Sequence, residues 1–305
     1  MITNRITIFA AAAGFLGMAG LALAKEKGES GMSEYTKGNQ FFEAKQYEQA
    51  VAEFAKAIEA NSKQPAFYQN RGFAYIALEK GPEAAADFSK AIELAPKDER
   101  AYIGRAQASL LQKDYQQAFA DAGKALELKP DDVTACMFRG YAEIGLNQWD
   151  KAVADFTTVI QKKPDDLRNY DRRAWANRNL KNYDAAVADY TTLIEKNPAD
   201  AEALVKRGAT YTAMMQYEKA IADYQAAQKL NPQDNDTFQR LQYAQGMLAA
   251  KNAPPPTATP SPTPEKPGLI TPLNIGIAIA VLIIIAIIWR LVTRGKIEET
   301  SGRIR

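Results

Sequence analysis

"PAFYQNRGFAYIALEKGPEAAADFSKAIELAPKD", residues 65–98, holds in one copy the pattern that the rest of the chain repeats. In "FYQNRGFAYIAL" the apolar residues recur at three- and four-residue spacing with polar ones between them, the signature of an amphipathic helix. A break follows in "LEKGPEAA", a second helical stretch runs after it, and "IELAPKD" closes the unit. Proline ends the second stretch because it lacks an N–H and its ring clashes with the preceding turn. Two helices joined by so short a break must lie antiparallel.

Outward from this stretch, three columns repeat with a period of 34 residues. Alanine stands at Ala50, Ala84, Ala118, Ala152, Ala186 and Ala220. Proline stands at Pro96, Pro130, Pro164, Pro198 and Pro232. A small residue stands at Gly38, Gly72, Ala106, Gly140, Ala174 and Gly208, where one helix must let the other approach closely. Three columns in phase at a period between about 20 and 50 residues mean a solenoid or an array. A single helix pair cannot bury its apolar face alone, so the copies must stack.

These residues resemble the tetratricopeptide repeat family. Counting the copies as 31–64, 65–98, 99–132, 133–166, 167–200 and 201–234, the pattern has a small residue at position 8, alanine at 20, an aromatic at 24, a small residue at 27 and proline at 32. Phe54, Phe88, Phe156, Tyr190 and Tyr224 supply the aromatic. Repeat three departs from the pattern with Ala122 followed by Gly123, so its second helix is expected to be the weakest; repeat one has Ser62 in place of proline. The resemblance implies an all-α fold, a six-repeat superhelical solenoid over 31–234. A segment at 235–252, helical in spacing through Phe238, Leu241, Tyr243 and Leu248, is expected to cap the stack.

The two ends predict a location. Residues 1–24 have a single Arg5, an apolar stretch and the small-residue pattern Ala22-Leu23-Ala24, which fits a secretory signal peptide or an uncleaved N-terminal anchor. Residues 253–268, "APPPTATPSPTPEKPG", predict a polyproline stalk at about 3.1 Å per residue. Leu269 to Trp289 carries no charge and predicts a transmembrane helix over 269–292, long enough for a bilayer core of about 30 Å. The basic tail at 293–305 is then cytoplasmic and the repeats lie outside, in a periplasm or at the cell exterior.

Composition narrows the chemistry. The chain has no histidine and one cysteine, Cys136, at a position that other copies fill with Tyr68, Tyr102, Tyr170 or Leu204, so it reads as a core residue. No phosphate-binding glycine loop or catalytic constellation is present, so no enzymatic activity, cofactor or metal is expected. A net charge of +2 gives no nucleic-acid footprint. One charge pattern repeats: Lys37, Arg71, Arg105, Arg139, Arg173 and Arg207 against Glu53, Asp87, Asp121, Asp155, Asp189 and Asp223. It predicts ion pairs inside each repeat or between neighbours, with an anion-binding strip as the alternative.

The resemblance also implies that the first helix of each repeat lines a concave groove. Candidate partner-binding residues are Asn39, Phe42, Asn70, Phe73, Ile76, Arg100, Ile103, Gln107, Met137, Tyr141, Arg168, Asp171, Arg172, Trp175 and Arg178, with Lys206 beside the last of them. An apolar, aromatic floor with a basic end suits a protein or peptide with apolar anchors and an acidic neighbour. Asn39, Asn70 and Arg100 match part of the carboxylate clamp of some family members, but Tyr35 and Gly104 replace its other basic groups. The function this predicts is a membrane-anchored scaffold that captures a partner. The alternatives are an architectural spacer acting through its convex face or membrane helix, and a glycan-binding surface protein.

Overall fold

The computed structural model describes residues 30–253, together with 276, 277, 279–287, 289 and 290. The expected signal segment, stalk and basic tail, and part of the expected span, lie outside these residues. Over 30–253 the chain forms thirteen helices, and no strand occurs among the described residues.

The first helices of the repeats are α1 (Met32–Glu43), α3 (Pro65–Ala77), α5 (Glu99–Leu111), α7 (Val133–Gly145), α9 (Arg168–Asn179) and α11 (Ala201–Ala213). The second helices are α2 (Tyr47–Ala60), α4 (Gly81–Leu94), α6 (Tyr115–Leu128), α8 (Trp149–Lys162), α10 (Tyr183–Lys196) and α12 (Tyr217–Leu230), followed by α13 (Asn235–Asn252). Each helix packs on its predecessor and successor along the stack, and α1 with α3, α3 with α5 and α5 with α7 also meet across repeats. No two second helices approach one another as closely. Over α1 to α7 the first helices therefore occupy the inner side of the curve.

The small column exists to admit the aromatic column. A Cβ added at Gly72 would lie 2.9 Å from the Phe88 ring, and one at Gly208 2.8 Å from Tyr224. Ala50, Phe54, Ala84, Phe88, Ala152, Phe156, Ala186, Tyr190 and Ala220 are all fully buried. The residue before each proline is forced to extended backbone, as at Lys129 (φ −143°, ψ 89°), because the proline ring excludes the helical conformation there. Repeat one keeps the same break without proline. Asn61 takes φ −149°, ψ 94°, and its Oδ1 accepts from the Lys63 N–H at 3.1 Å.

Every helix hairpin turns through a left-handed residue, and none is glycine: Lys45, Glu79, Lys113, Asn147, Lys181 and Met215 have φ between 56° and 61°. The bonds around them form a Schellman motif; Gln46 N–H donates to Phe41 C=O at 2.8 Å and Lys45 N–H to Phe42 C=O at 3.0 Å. An aspartate column not used in the sequence reading caps several first helices. Asp98, Asp132 and Asp200 accept from backbone N–H groups of α5, α7 and α11.

The acidic and basic columns pair inside each repeat in five of the six copies. Arg71–Asp87, Arg105–Asp121, Arg139–Asp155, Arg173–Asp189 and Arg207–Asp223 are bidentate, with distances of 2.6–3.0 Å. Repeat one is the exception. Glu53 bonds to Lys56 on its own helix, and Lys37 is exposed, since an ammonium has no fork to match a carboxylate. Three arginines also reach backwards: Arg105 donates to Ser89, Arg173 to Thr157 and Arg207 to Thr191, each in the preceding repeat. The corresponding residues ahead of Arg71 and Arg139 are Ala55 and Gly123, which have no acceptor.

Helix α6, expected to be the weakest, runs its full 14 residues. Ala122 leaves room that Phe138 of the next repeat occupies, in a cluster with Ala106, Leu110 and Ala118. Cys136 is buried, with its Sγ directed to the Asp155 carbonyl at 3.5 Å, and burial pushes its thiol up to about 12.

On α13 the covering face is Thr237, Leu241 and Ala244, and Leu241 and Ala244 close over Ala220 and Tyr224. Phe238 and Tyr243, read as part of the same apolar pattern, are exposed. Further along, the described residues between 276 and 290 are helical, with exposed Ile283 and Trp289 among their side chains. Among the described residues no helix is long and apolar enough to cross a membrane.

Candidate groove on the first helices

The candidate residues divide into three stretches along the inner helices. At the N-terminal end, Asn70 on α3 donates to Tyr35 Oη at 2.9 Å and to Asn39 Oδ1 at 2.7 Å, both on α1. The Tyr35 ring lies against Phe67 at 4.9 Å between centroids. Burial raises the Tyr35 pKa, while Arg100 bears on it with the opposite sign. Asn39, Asn70 and Arg100 are thus gathered, but Asn70 is buried and committed to its neighbours, so this end is a polar lock between repeats one and two. Phe42 sits edge-on to Tyr47 at 5.4 Å.

In the middle, Phe73 meets Phe88 edge-to-face at 5.0 Å and Tyr141 meets Phe156 at 5.4 Å. Ile76 joins the Phe88 cluster, and Ile103 and Met137 pack on the cluster of Leu110 and Phe138. Gln107 is half-buried beside them. Each of these apolar side chains is fixed by packing on the core while keeping part of its surface exposed. Edge-to-face contact holds the rings in place and lowers the rotamer entropy that binding would otherwise remove.

The C-terminal stretch differs in chemistry. Trp175 stands edge-on to Trp149 at 4.9 Å and is 39% exposed, the most open of the candidate aromatics. Arg172 lies over the Tyr141 ring, 5.7 Å from its centroid. Arg168, expected as a ligand-facing cation, bonds Asp166 through two nitrogens at 2.9 Å. Asp171 is taken by Lys206, whose Nζ donates to it at 2.6 Å across α9 and α11. Arg178 has no such partner among the described residues, and its Nε is buried without a hydrogen bond, as is Nε of Arg172.

Two residues of this stretch escaped the sequence reading. Trp149, which packs edge-on to Trp175, belongs to none of the columns of the repeat pattern. Tyr190 was read as a core ring, yet its hydroxyl lies in the field of Asp171, Arg178 and Lys206 and makes no hydrogen bond of good geometry. Burial pushes its pKa up to about 12. Its position in the repeat is that of a Phe in three other copies, so the extra oxygen was the available signal.

Tetratricopeptide repeat models match residues 38–79, 70–133, 169–200 and 201–234, together more than half of the chain. None of the curated proteins matches it. Among solved structures, YrrB, described as a TPR protein with an unusual peptide-binding site, superposes with a TM-score of 0.56 at 22% identity, over 63% of this chain and 97% of that one. A tetratricopeptide repeat protein from Parabacteroides merdae ATCC 43184 gives 0.50 at 20% identity, over 70% and 84%. The Cut9–Hcn1 hetero-tetramer of APC/C gives 0.58 at 14% identity over 70% of this chain, which spans 42% of that chain. At these identities the likeness carries the fold, and the repeat matches carry the family. The chain belongs to the tetratricopeptide repeat family.

Proposed function

We propose that the repeats form a protein–protein interaction scaffold that captures a partner peptide or protein along the first helices. The observation that supports this most is the row of Phe73, Tyr141 and Trp175. Each is held edge-on by a second ring, and each keeps surface on the inner side of the stack. Rigid, partly exposed aromatics of this kind are the usual anchors of an interface. That YrrB is described as having a peptide-binding site agrees with this reading. In the same proposal the span at 269–292 holds the scaffold in a lipid bilayer. The repeats then face the periplasm or the exterior, and the basic tail lies in the cytoplasm.

A photo-crosslinking residue placed at Tyr141 and, separately, at Trp175 in native membranes tests the capture. One dominant protein adduct from both sites supports it, and no adduct from an exported, folded chain overturns it. Trp175→Ala with Tyr141→Ala should weaken capture by about 2 kcal/mol or more with helicity unchanged. Protease added to cells whose outer envelope is opened, with the membrane holding the span intact, should digest the repeats and spare the tail; protected repeats would reverse the topology.

A further inference from the structure

Resting on the groove reading, we infer that Arg172 and Arg178, on either side of Trp175, form a subsite for a carboxylate side chain of an acidic peptide segment, with an apolar neighbour of that carboxylate on Trp175. The three residues are spaced by three along α9, which puts them on one side of the helix with Trp175 between the two arginines in register.

The charges around them do not balance. Asp171, on the same helix, is held by Lys206, which Glu202 also contacts at 2.8 Å. Arg168 is held by Asp166 and Arg173 by Asp189. Of the four arginines in Arg168–Arg178, two are matched with carboxylates, and Arg172 and Arg178 have no ion pair among the described residues. Each has a buried Nε with no hydrogen bond, and the fully buried Tyr190 hydroxyl beside Arg178 makes none of good geometry. A buried donor left without an acceptor is costly, and more so when it is charged, so an acceptor brought by a ligand would be favoured here.

An acidic side chain is the partner that fits. It accepts only, it matches the planar fork of a guanidinium, and its bonds are charge-assisted. Arg172 is already stacked on Tyr141 and Trp175 is braced by Trp149, so little needs to be ordered when the ligand arrives. A basic or neutral polar segment would leave both arginines unpaired and is disfavoured for that reason.

The full chain, in detergent micelles, would be panned against a random dodecapeptide library. Enriched peptides should carry Asp or Glu next to an aromatic or aliphatic residue. Replacing that acid by Asn or Gln should weaken binding at least tenfold. Arg172→Gln or Arg178→Gln should weaken the acidic peptide by a similar factor, leave the amide version unchanged, and leave the circular-dichroism melt intact. Enriched peptides without an acid overturn the subsite. So do acidic ones that are insensitive to both arginine variants but lost on Trp175→Ala, an outcome in which the groove reading stands. If no peptide is enriched by the folded chain, the groove reading and the subsite both fall.

Discussion

The Phe88 ring packs so closely against Gly104 of the next repeat that a Cβ at Gly104 would clash with the ring carbons. One repeat further on the sizes are exchanged. Ala122 stands where Phe88 stands, and Phe138, buried in one cluster with Ala122, stands where Gly104 stands. The interface is filled in both cases, from the leading repeat in one and from the following repeat in the other.

This exchange has a measurable consequence. Gly104→Ala should destabilise by about 1–3 kcal/mol through overpacking. Phe138→Ala should cost about 3–5 kcal/mol through the cavity it opens. Ala122→Phe combined with Phe138→Gly restores the Phe88–Gly104 arrangement and should be more stable than either single variant. Denaturant unfolding of the three proteins checks this, and strictly additive effects would rule out the exchange.

Gly123 in the middle of α6 is a remediable weakness. A Cβ there meets nothing within 4 Å, so Gly123→Ala should stabilise by about 0.5–1 kcal/mol through helix propensity alone. Gly123→Thr should add the acceptor that Arg139 lacks and Arg173 finds in Thr157. An Arg139→Gln background separates the two gains. If the threonine variant is equally favourable there, no hydrogen bond to the arginine has formed.

The hairpin turn at Met215 holds a left-handed backbone, φ 56°, in a residue with a long side chain. Such a conformation costs an L-residue about 1–2 kcal/mol that glycine does not incur. With the Met215 side chain 67% exposed, little packing is lost on its removal. Met215→Gly should therefore raise stability by about 0.5–1 kcal/mol, read as a higher thermal midpoint; a lower midpoint would mean that Met215 makes contacts worth more than the strain.

Glu143 ties stability to pH. Its side chain is buried, and that burial, with the Asp155 carboxylate close by, pushes its pKa from the ordinary 4.5 up to about 8 despite Arg139 and Lys151 acting in the opposite direction. Between those two values the folded chain binds more protons than the unfolded one, so stability falls as pH rises. The contribution is complete below about pH 4.5 and lost as pH passes about 8. Glu143→Gln should flatten the decline across this window, and an unchanged pH profile of the melting midpoint would show that Glu143 does not titrate there.

Much of this was legible in the residues. The alanine, small-residue and proline columns carried the repeat, because two close helices need a small contact and a chain that must turn needs a residue unable to continue. The Arg–Asp columns announced ion pairs, yet only the fold placed them within the repeat. Residues 16 apart in sequence come to face each other once the two helices fold back. The aspartate caps and the serine and threonine acceptors recur at the same period and were available to the same reading. The left-handed turns were not, because Lys, Glu and Met show no preference for that conformation and only the hairpin imposes it.

The candidate groove divides in the same way. Periodicity alone determined which side chains of the first helices share a face, since helical geometry is local and repeats with the sequence. Tertiary structure alone decided which of them remain free to bind. It closed Asn39 and Asn70 against Tyr35, gave Asp171 to Lys206 and Arg168 to Asp166, and left Arg172 and Arg178 beside an open Trp175. Whether a charge is satisfied depends on neighbours from other helices, at distances that a period along the chain does not contain.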